Sequence, residues 1–344
     1  MFENNESLDE LSDIQQHLQQ LQERFRTDEL SEHAAEMIDL RILGGTKLPV
    51  APVPWSPDHD DRFKAEVGFP EINKSQLSAA ALKAGIFGQG GIIVRGLMDG
   101  DTVNNFKACI SNSLKSPQRF SEDQSGSESW FRRSEYVAKG AKGPARIRGG
   151  DLSSEHGSVW AVDSPITAAR LVDFYAQLGL REMLHDYFNE AAVLSVRKWV
   201  LRSVPPMKGG NKGWHQDGRF MGQNIKSVNL WVALSECGEG TESPGLELVA
   251  DNRRQIHETG THGAWLDWTV GPELVEKIAQ DRPLVCPYFQ PGDAIFFDHY
   301  CLHRNAEGPN DTLSRFALES WFFAESRAPA KQQQIGRASC RERV

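Results

Sequence analysis

PGDAIFFDHYCLHRNAEGPNDTLSRFALESWFF, residues 291–323, decides how the fold is read. Two short apolar runs, AIFF and RFALESWFF, are separated by a polar stretch, and a Pro-Gly-Asp turn precedes the first. Apolar runs this short, rich in aromatics and bounded by turn residues, mark strands. The pattern extends upstream to residue 192, where AVLSVRKWVL, VNLWVAL, GLELV and PLVCPYF recur between turn signals. Short strands in such succession predict a β-sandwich or barrel and not βαβ units.

The other half of the chain reads as helical. Helices are expected near 74–85 and 102–114, with the strand IIVRGL (92–97) between them, and again over 164–188, where Ser-Pro opens an apolar stripe. Leu11, Ile14, Leu18, Leu21 and Phe25 form a stripe over 8–25, spanning about two heptads. That is too short for a coiled coil, so a helix packed on its own domain or loosely attached is expected over a dimerising helix. Residues 44–73 read as an irregular connection, and 116–160 as a long segment rich in Ser, Gly and Arg. The expected class is α+β, mainly β with a helical N-terminal half. The expected organisation is an N-terminal helix and connection (1–73) and one domain (74–330), its helical part at 74–190 and its β core at 191–325. IGRASCRERV (335–344) resembles a translated reading frame of a sequencing adapter and is expected to lie outside the fold.

A chain of 344 residues is long enough for one large domain with insertions. Its net charge of −9 argues against nucleic-acid partners, and no apolar run approaches the roughly 20 residues of a membrane span. The acidic N-terminus has no signal-peptide pattern, and the five cysteines are scattered without CxxC spacing. A cytoplasmic protein is expected, a monomer or weak dimer.

The chemistry lies in GWHQDGRFMG, residues 213–222. One residue separates His215 from Asp217, so on a strand both side chains project to one face. A third ligand must come from elsewhere, and His303, after the strand AIFF, is the best placed, with His299 as its competitor. Two imidazoles and a carboxylate on one face leave three adjacent positions open, the arrangement of non-haem iron(II) oxygenases. Arg315 opens the strand RFALESWFF, where a guanidinium is suited to grip the distal carboxylate of 2-oxoglutarate.

Residues about 85–325 resemble the phytanoyl-CoA dioxygenase family. WHQD (214–217) matches its metal motif, VNLWVALSE (228–236) its next core strand, and PGDAIFFDHYCLHRNAEGPND (291–311) the segment bearing its second histidine. The resemblance implies a double-stranded β-helix (jelly-roll, cupin-like) core, with Fe(II) at His215, Asp217 and His303. It implies 2-oxoglutarate at Arg315, with Trp231 and Gln216 lining the co-substrate pocket. It also implies hydroxylation of an unactivated C–H of a small organic substrate by O2, releasing succinate and CO2. Ala250-Asp251-Asn252 departs from the family's Gly-Ser-His turn, which bears on substrate contacts and not on the metal. The aspartate ligand is retained, which disfavours halogenation.

Two other classes remain open: a family member that binds without catalysis, and a non-oxidative metalloenzyme on a cupin-like barrel. His257 and His262 lie in a polar loop and are expected to be solvated. RRSEYVAKGAKGPARIR (132–148) holds six basic residues against one acid. It is either a solvated loop or a flap that steers an anionic substrate, with Arg132, Arg133, Lys139 and Lys142 as steering charges. Trp265, Leu266 and Trp268 either roof the site or pack a helix on the barrel. Family analogy does not choose the substrate.

Overall fold

The computed structural model describes residues 11–28, 31–46, 56–121, 129–132, 157–206, 213–306, 308, 310–329 and 334–335. The β elements are β1 (Glu71–Asn73), β2 (Gly91–Arg95), β3 (Ser158–Trp160), β4 (Ala192–Val204), β5 (Ser227–Ala233), β6 (Leu246–Val249), β7 (Leu284–Val285), β8 (Ala294–Phe297), β9 (Leu302–Asn305), β10 (Arg315–Ala324) and β11 (Gln334–Ile335). The larger sheet runs β1-β2-β8-β5-β10-β4-β11, with β3 also on β4, and the smaller runs β7-β6-β9. A bridge from His215 to His303 adds the 213–217 segment beside β9. From β4 onward the chain therefore alternates between the sheets: β4 in the large one, the His215 segment in the small, β5 in the large, β6 and β7 in the small, β8 in the large, β9 in the small, β10 in the large. That alternation is a double-stranded β-helix, as the family resemblance implies.

Alternation along the strands explains the two cores. Leu318 and Phe322 of β10 face a helical layer together with Trp199, Leu201, Val228, Leu230 and Phe296. Ala317, Trp321 and Phe323 face the barrel interior with Trp231, Ile295 and Phe297, and meet Leu246 and Leu248 of the small sheet. β5 is central, is covered on both faces and is buried along its whole length. Its sequence is accordingly a nearly continuous apolar run.

The helical layer consists of α3 (Ala79–Gln89), α4 (Gly100–Ser121), α5 (Pro165–Gln177) and α6 (Leu180–Phe188). The single helix expected over 164–188 is two, because Gly179 at φ 66 takes the left-handed conformation and breaks it. α1 (Leu11–Asp28) sets Ile14, Leu18, Leu21 and Phe25 against Ala34, Met37 and Leu40 of α2 (Ser31–Thr46) and against Ile166 and Ala169 of α5. Each such buried apolar side chain contributes about 1.5–3 kcal/mol, so the stripe is used within the chain. The sequence reading did not anticipate α2.

Candidate metal centre

Backbone pairing builds the site. His215 N–H donates to the His303 carbonyl and His303 N–H to the His215 carbonyl, both at 3.0 Å, which sets the two imidazoles side by side with centroids 4.4 Å apart. His303 lies within β9, opposite Leu248 of β6, and not in a loop after a strand. Asp217 takes helical backbone angles and directly precedes α7 (Gly218–Met221), its carbonyl accepting from Phe220 and Met221 N–H, so the segment turns at this residue instead of continuing as a strand. Gly218 makes the turn possible: a Cβ there would sit 2.6 Å from Ile256 Cδ1 and 2.9 Å from the His299 carbonyl oxygen.

Among the described residues, His215, Asp217 and His303 form one group whose potential ligand atoms all lie within 4.8 Å of one another. Each histidine Nδ1 faces a carbonyl, that of Gly213 at 2.8 Å for His215 and that of Cys301 at 3.0 Å for His303. A carbonyl can only accept, so both Nδ1 atoms carry the proton and both Nε2 lone pairs are free for a metal. Burial, reinforced by the neighbouring His303, pulls the His215 pKa down to about 4, so its imidazole is neutral at pH 7. Burial alone would raise the Asp217 carboxyl, but the Lys198 ammonium and the two imidazoles outweigh it and hold the group well below its usual range. Lys198 Nζ donates to Asp217 Oδ1 at 2.5 Å, while Oδ2 lies 3.8 Å from His303 Nε2. Two imidazole nitrogens and an ionised carboxylate suit a divalent cation such as iron(II). His299 lies outside the group; its Nδ1 pairs with the Ser227 hydroxyl at 2.8 Å.

Arg315, at the start of β10, is fully buried. Its Nη1 donates to the carbonyls of Gly245 (2.5 Å) and Pro244 (3.2 Å), and its Nη2 to Asn305 Oδ1 at 2.8 Å. Nε is buried with no partner, and burial lowers the guanidinium pKa to about 10. Among the described residues no carboxylate hydrogen-bonds to it. A buried cation left in this condition costs several kcal/mol unless an anion reaches it, so a ligand carboxylate fits here. Trp231 lies beside it on β5, its ring centroid 5.4 Å from the guanidinium carbon. Gln216 is engaged elsewhere: its amide nitrogen donates to the carbonyls of Gln255 and Tyr300, and its oxygen accepts from His257 N–H. Those bonds knit two loops behind the ligand segment.

Sequence reasoning missed Lys198, Arg202 and Glu319. The β4–β10 register places Arg202 opposite Ala317 and Val200 opposite Glu319, so Lys198 and Arg202 share the inner face with Glu319. Arg202 holds Glu319 Oε2 through Nε (3.0 Å) and Nη2 (2.8 Å). The available signal was polar residues at period two inside an apolar strand. Of the basic stretch, Arg132 is paired with Asp39 of α2 at 2.6 Å; Arg133, Lys139 and Lys142 fall outside the described residues. Trp268 stands edge-on to His215, with ring centroids 6.0 Å apart.

The phytanoyl-CoA dioxygenase (PhyH) family model matches residues 89–315, about two thirds of the chain. The chain belongs to the phytanoyl-CoA dioxygenase family. As a member it is an oxygenase that uses iron(II) and 2-oxoglutarate, which the donor set and the uncompensated Arg315 accommodate. No curated protein matches it. Among solved structures it is similar to apo EctD from S. alaskensis (18% identity, 83% of this chain and 85% of that one, TM-score 0.49). It is also similar to the non-heme alpha-ketoglutarate-dependent carbocyclase SnoK from nogalamycin biosynthesis (16%, 74% and 87%, TM-score 0.47). A third is AviO1 from Streptomyces viridochromogenes Tue57 (20%, 74% and 97%, TM-score 0.42). Among the described residues of this family member, no helix is long and apolar enough to cross a membrane.

Proposed function

We propose that this protein hydroxylates a small organic substrate, with His215, Asp217 and His303 holding iron(II) and Arg315 holding the distal carboxylate of 2-oxoglutarate. With O2, the metal and co-substrate supply the oxidising equivalents that convert a C–H to a C–OH while 2-oxoglutarate becomes succinate and CO2. The observation that carries this reading is the triad: two Nε2 lone pairs fixed by Nδ1–carbonyl bonds, beside a carboxylate kept ionised.

The chain's own residues do the positioning. Lys198 holds Asp217 Oδ1 and leaves Oδ2 toward the histidines. Arg315 gains the partner its Nε lacks, and Trp231 walls the same end of the interior. Gln216 braces the loops at 255–257 and Tyr300, so its part in co-substrate binding is to fix the ligand segment. Phe297 packs on the His303 ring with centroids 5.1 Å apart and excludes water from that side.

The test is succinate formation from 2-oxoglutarate with iron(II) present and absent, in the parent protein and in His215→Ala, with a substrate library screened for products heavier by one oxygen. Iron-dependent succinate that disappears in the variant is the expected result. Succinate formation independent of iron, or unchanged in His215→Ala, would overturn the assignment.

A further inference from the structure

We propose that the substrate of this site is an apolar molecule with a single negative charge, its apolar part lying on Phe220 and Trp268 and its anion held by Lys198. The inference rests on the iron(II) and 2-oxoglutarate reading above and narrows it to a substrate class.

The apolar half of the argument starts from exposure. Phe220 is 50% exposed and Trp268 40%, yet both rings face the metal-ligand candidate His215, at 6.5 and 6.0 Å. They face each other at 5.6 Å. Trp265, 64% exposed, and Leu266, 38% exposed, stand just before Trp268 in the chain. Contiguous apolar surface of this kind is uncommon on a soluble chain and marks a place where something apolar docks. The surface is also held still. Thr269 is buried, and its hydroxyl bonds both the N–H and the carbonyl of Leu266. Val270 N–H donates to the Trp214 carbonyl at 2.8 Å, tying the tryptophan turn to the ligand segment. On the other side, Phe220 belongs to α7, which follows Asp217 directly, and Phe220 N–H donates to the Asp217 carbonyl at 3.0 Å. The two rings are therefore presented from backbone that the metal ligands themselves anchor.

The charge half follows from what shares the interior. Lys198, Arg202 and Arg315 lie on the inner faces of β4 and β10, against the carboxylates of Glu319 and Asp217. Iron(II) and the dianionic co-substrate cancel, so loading leaves the interior with one positive charge. That charge falls to Lys198: two hydrogen bonds commit Arg202 to Glu319, the co-substrate commits Arg315, and the metal draws the charge of Asp217. The Lys198 side chain is 26% exposed, so it is accessible from the rim, and its ammonium stands 5.8 Å from the Phe220 ring centroid. Anion site and apolar surface are thus continuous. A neutral or cationic substrate would leave the surplus positive charge of the loaded interior without a counter-charge beyond the carboxylate that Lys198 shares with the metal.

Three probes of one shape test this: 4-phenylbutyrate, 4-phenylbutan-1-ol and 4-phenylbutylammonium, titrated calorimetrically into protein loaded with iron(II) and 2-oxoglutarate, without O2. The visible charge-transfer absorption of the iron–2-oxoglutarate pair reports loading independently. The butyrate is expected to bind on the order of tenfold more tightly than the alcohol, and the ammonium more weakly than either. Lys198→Met should bring butyrate and alcohol to similar affinity, Lys198→Arg should restore the preference, and Phe220→Ala or Trp268→Ala should weaken all three probes by a similar factor. Equal affinities in the parent, a preference that survives Lys198→Met, or probe binding unaffected by both alanine variants would each overturn the inference. Charge-selective probe binding without the absorption band would sink the iron reading alone.

Discussion

Replacing Arg315 with methionine separates co-substrate binding from folding and from metal binding. The side chain is fully buried, donates to two carbonyls and to Asn305, and leaves Nε with no partner. Methionine fills much of the same space and carries no charge to desolvate, so the free protein should lose little stability. The loss falls on the complex. A charge-assisted pair of this kind contributes about 1.5–3 kcal/mol, a weakening of roughly ten- to a hundredfold in 2-oxoglutarate affinity. The same figure should appear in thermal unfolding. At a concentration one hundred times the dissociation constant, a ligand stabilises the folded state by about 2.7 kcal/mol; a hundredfold weaker complex at the same concentration gains only about 0.4 kcal/mol. The assay is the melting temperature of manganese-loaded protein with and without 2-oxoglutarate, beside manganese stoichiometry. Reasoning from the orphaned Nε fails if Arg315→Met keeps the full 2-oxoglutarate-induced shift, or if it loses the metal as well.

Three further outcomes are expected. His303→Ala should abolish stoichiometric iron(II) binding, whereas His299→Ala should keep it and lose only stability, as metal analysis and melting curves of both will show. Without metal, the parent should lose stability as pH falls from about 6.5 towards 4, because the unfolded chain takes up a proton at His215 that the folded one refuses, its pKa held at about 4 by burial. The urea-unfolding advantage of the parent over His215→Asn should therefore narrow across that window; a constant difference would contradict the burial argument. Gly218→Ala should cost about 1–3 kcal/mol and loosen the metal, since its Cβ collides with Ile256 and His299; unchanged melting and iron retention would remove the steric role given to that glycine.

The metal triad was legible because its signals are local or nearly so. His215 and Asp217 are separated by one residue, and His303 and Arg315 bracket one polar stretch between apolar runs. Lys198 and the Arg202–Glu319 pair were not, because they depend on which residues of β4 and β10 stand opposite one another, and a bulge between Ser320 and Phe322 shifts that register. α2 escaped for another reason. Ala34, Met37 and Leu40 pack towards α1, while Ile38 and Ile42 join the main core, so burial on more than one side erases the stripe that announces a surface helix. The segment read as PLVCPYF contributes only Leu284–Val285 as strand, paired with β6 on one side alone. Apolar composition marks the place of such an edge but does not fix its length.

The reciprocal amide bonds between His215 and His303 have a mechanical consequence. They close the short sheet at the barrel mouth, and a metal joining the two imidazoles would act as a clasp across the same seam. Metal occupancy and seam opening then become one equilibrium, readable without any turnover. Amide hydrogen exchange at His215 and His303 should slow together when iron(II) is added, while amides on the helical face of the large sheet keep their rates. Chelation should unfasten the mouth first and leave the helix-covered sheet closed.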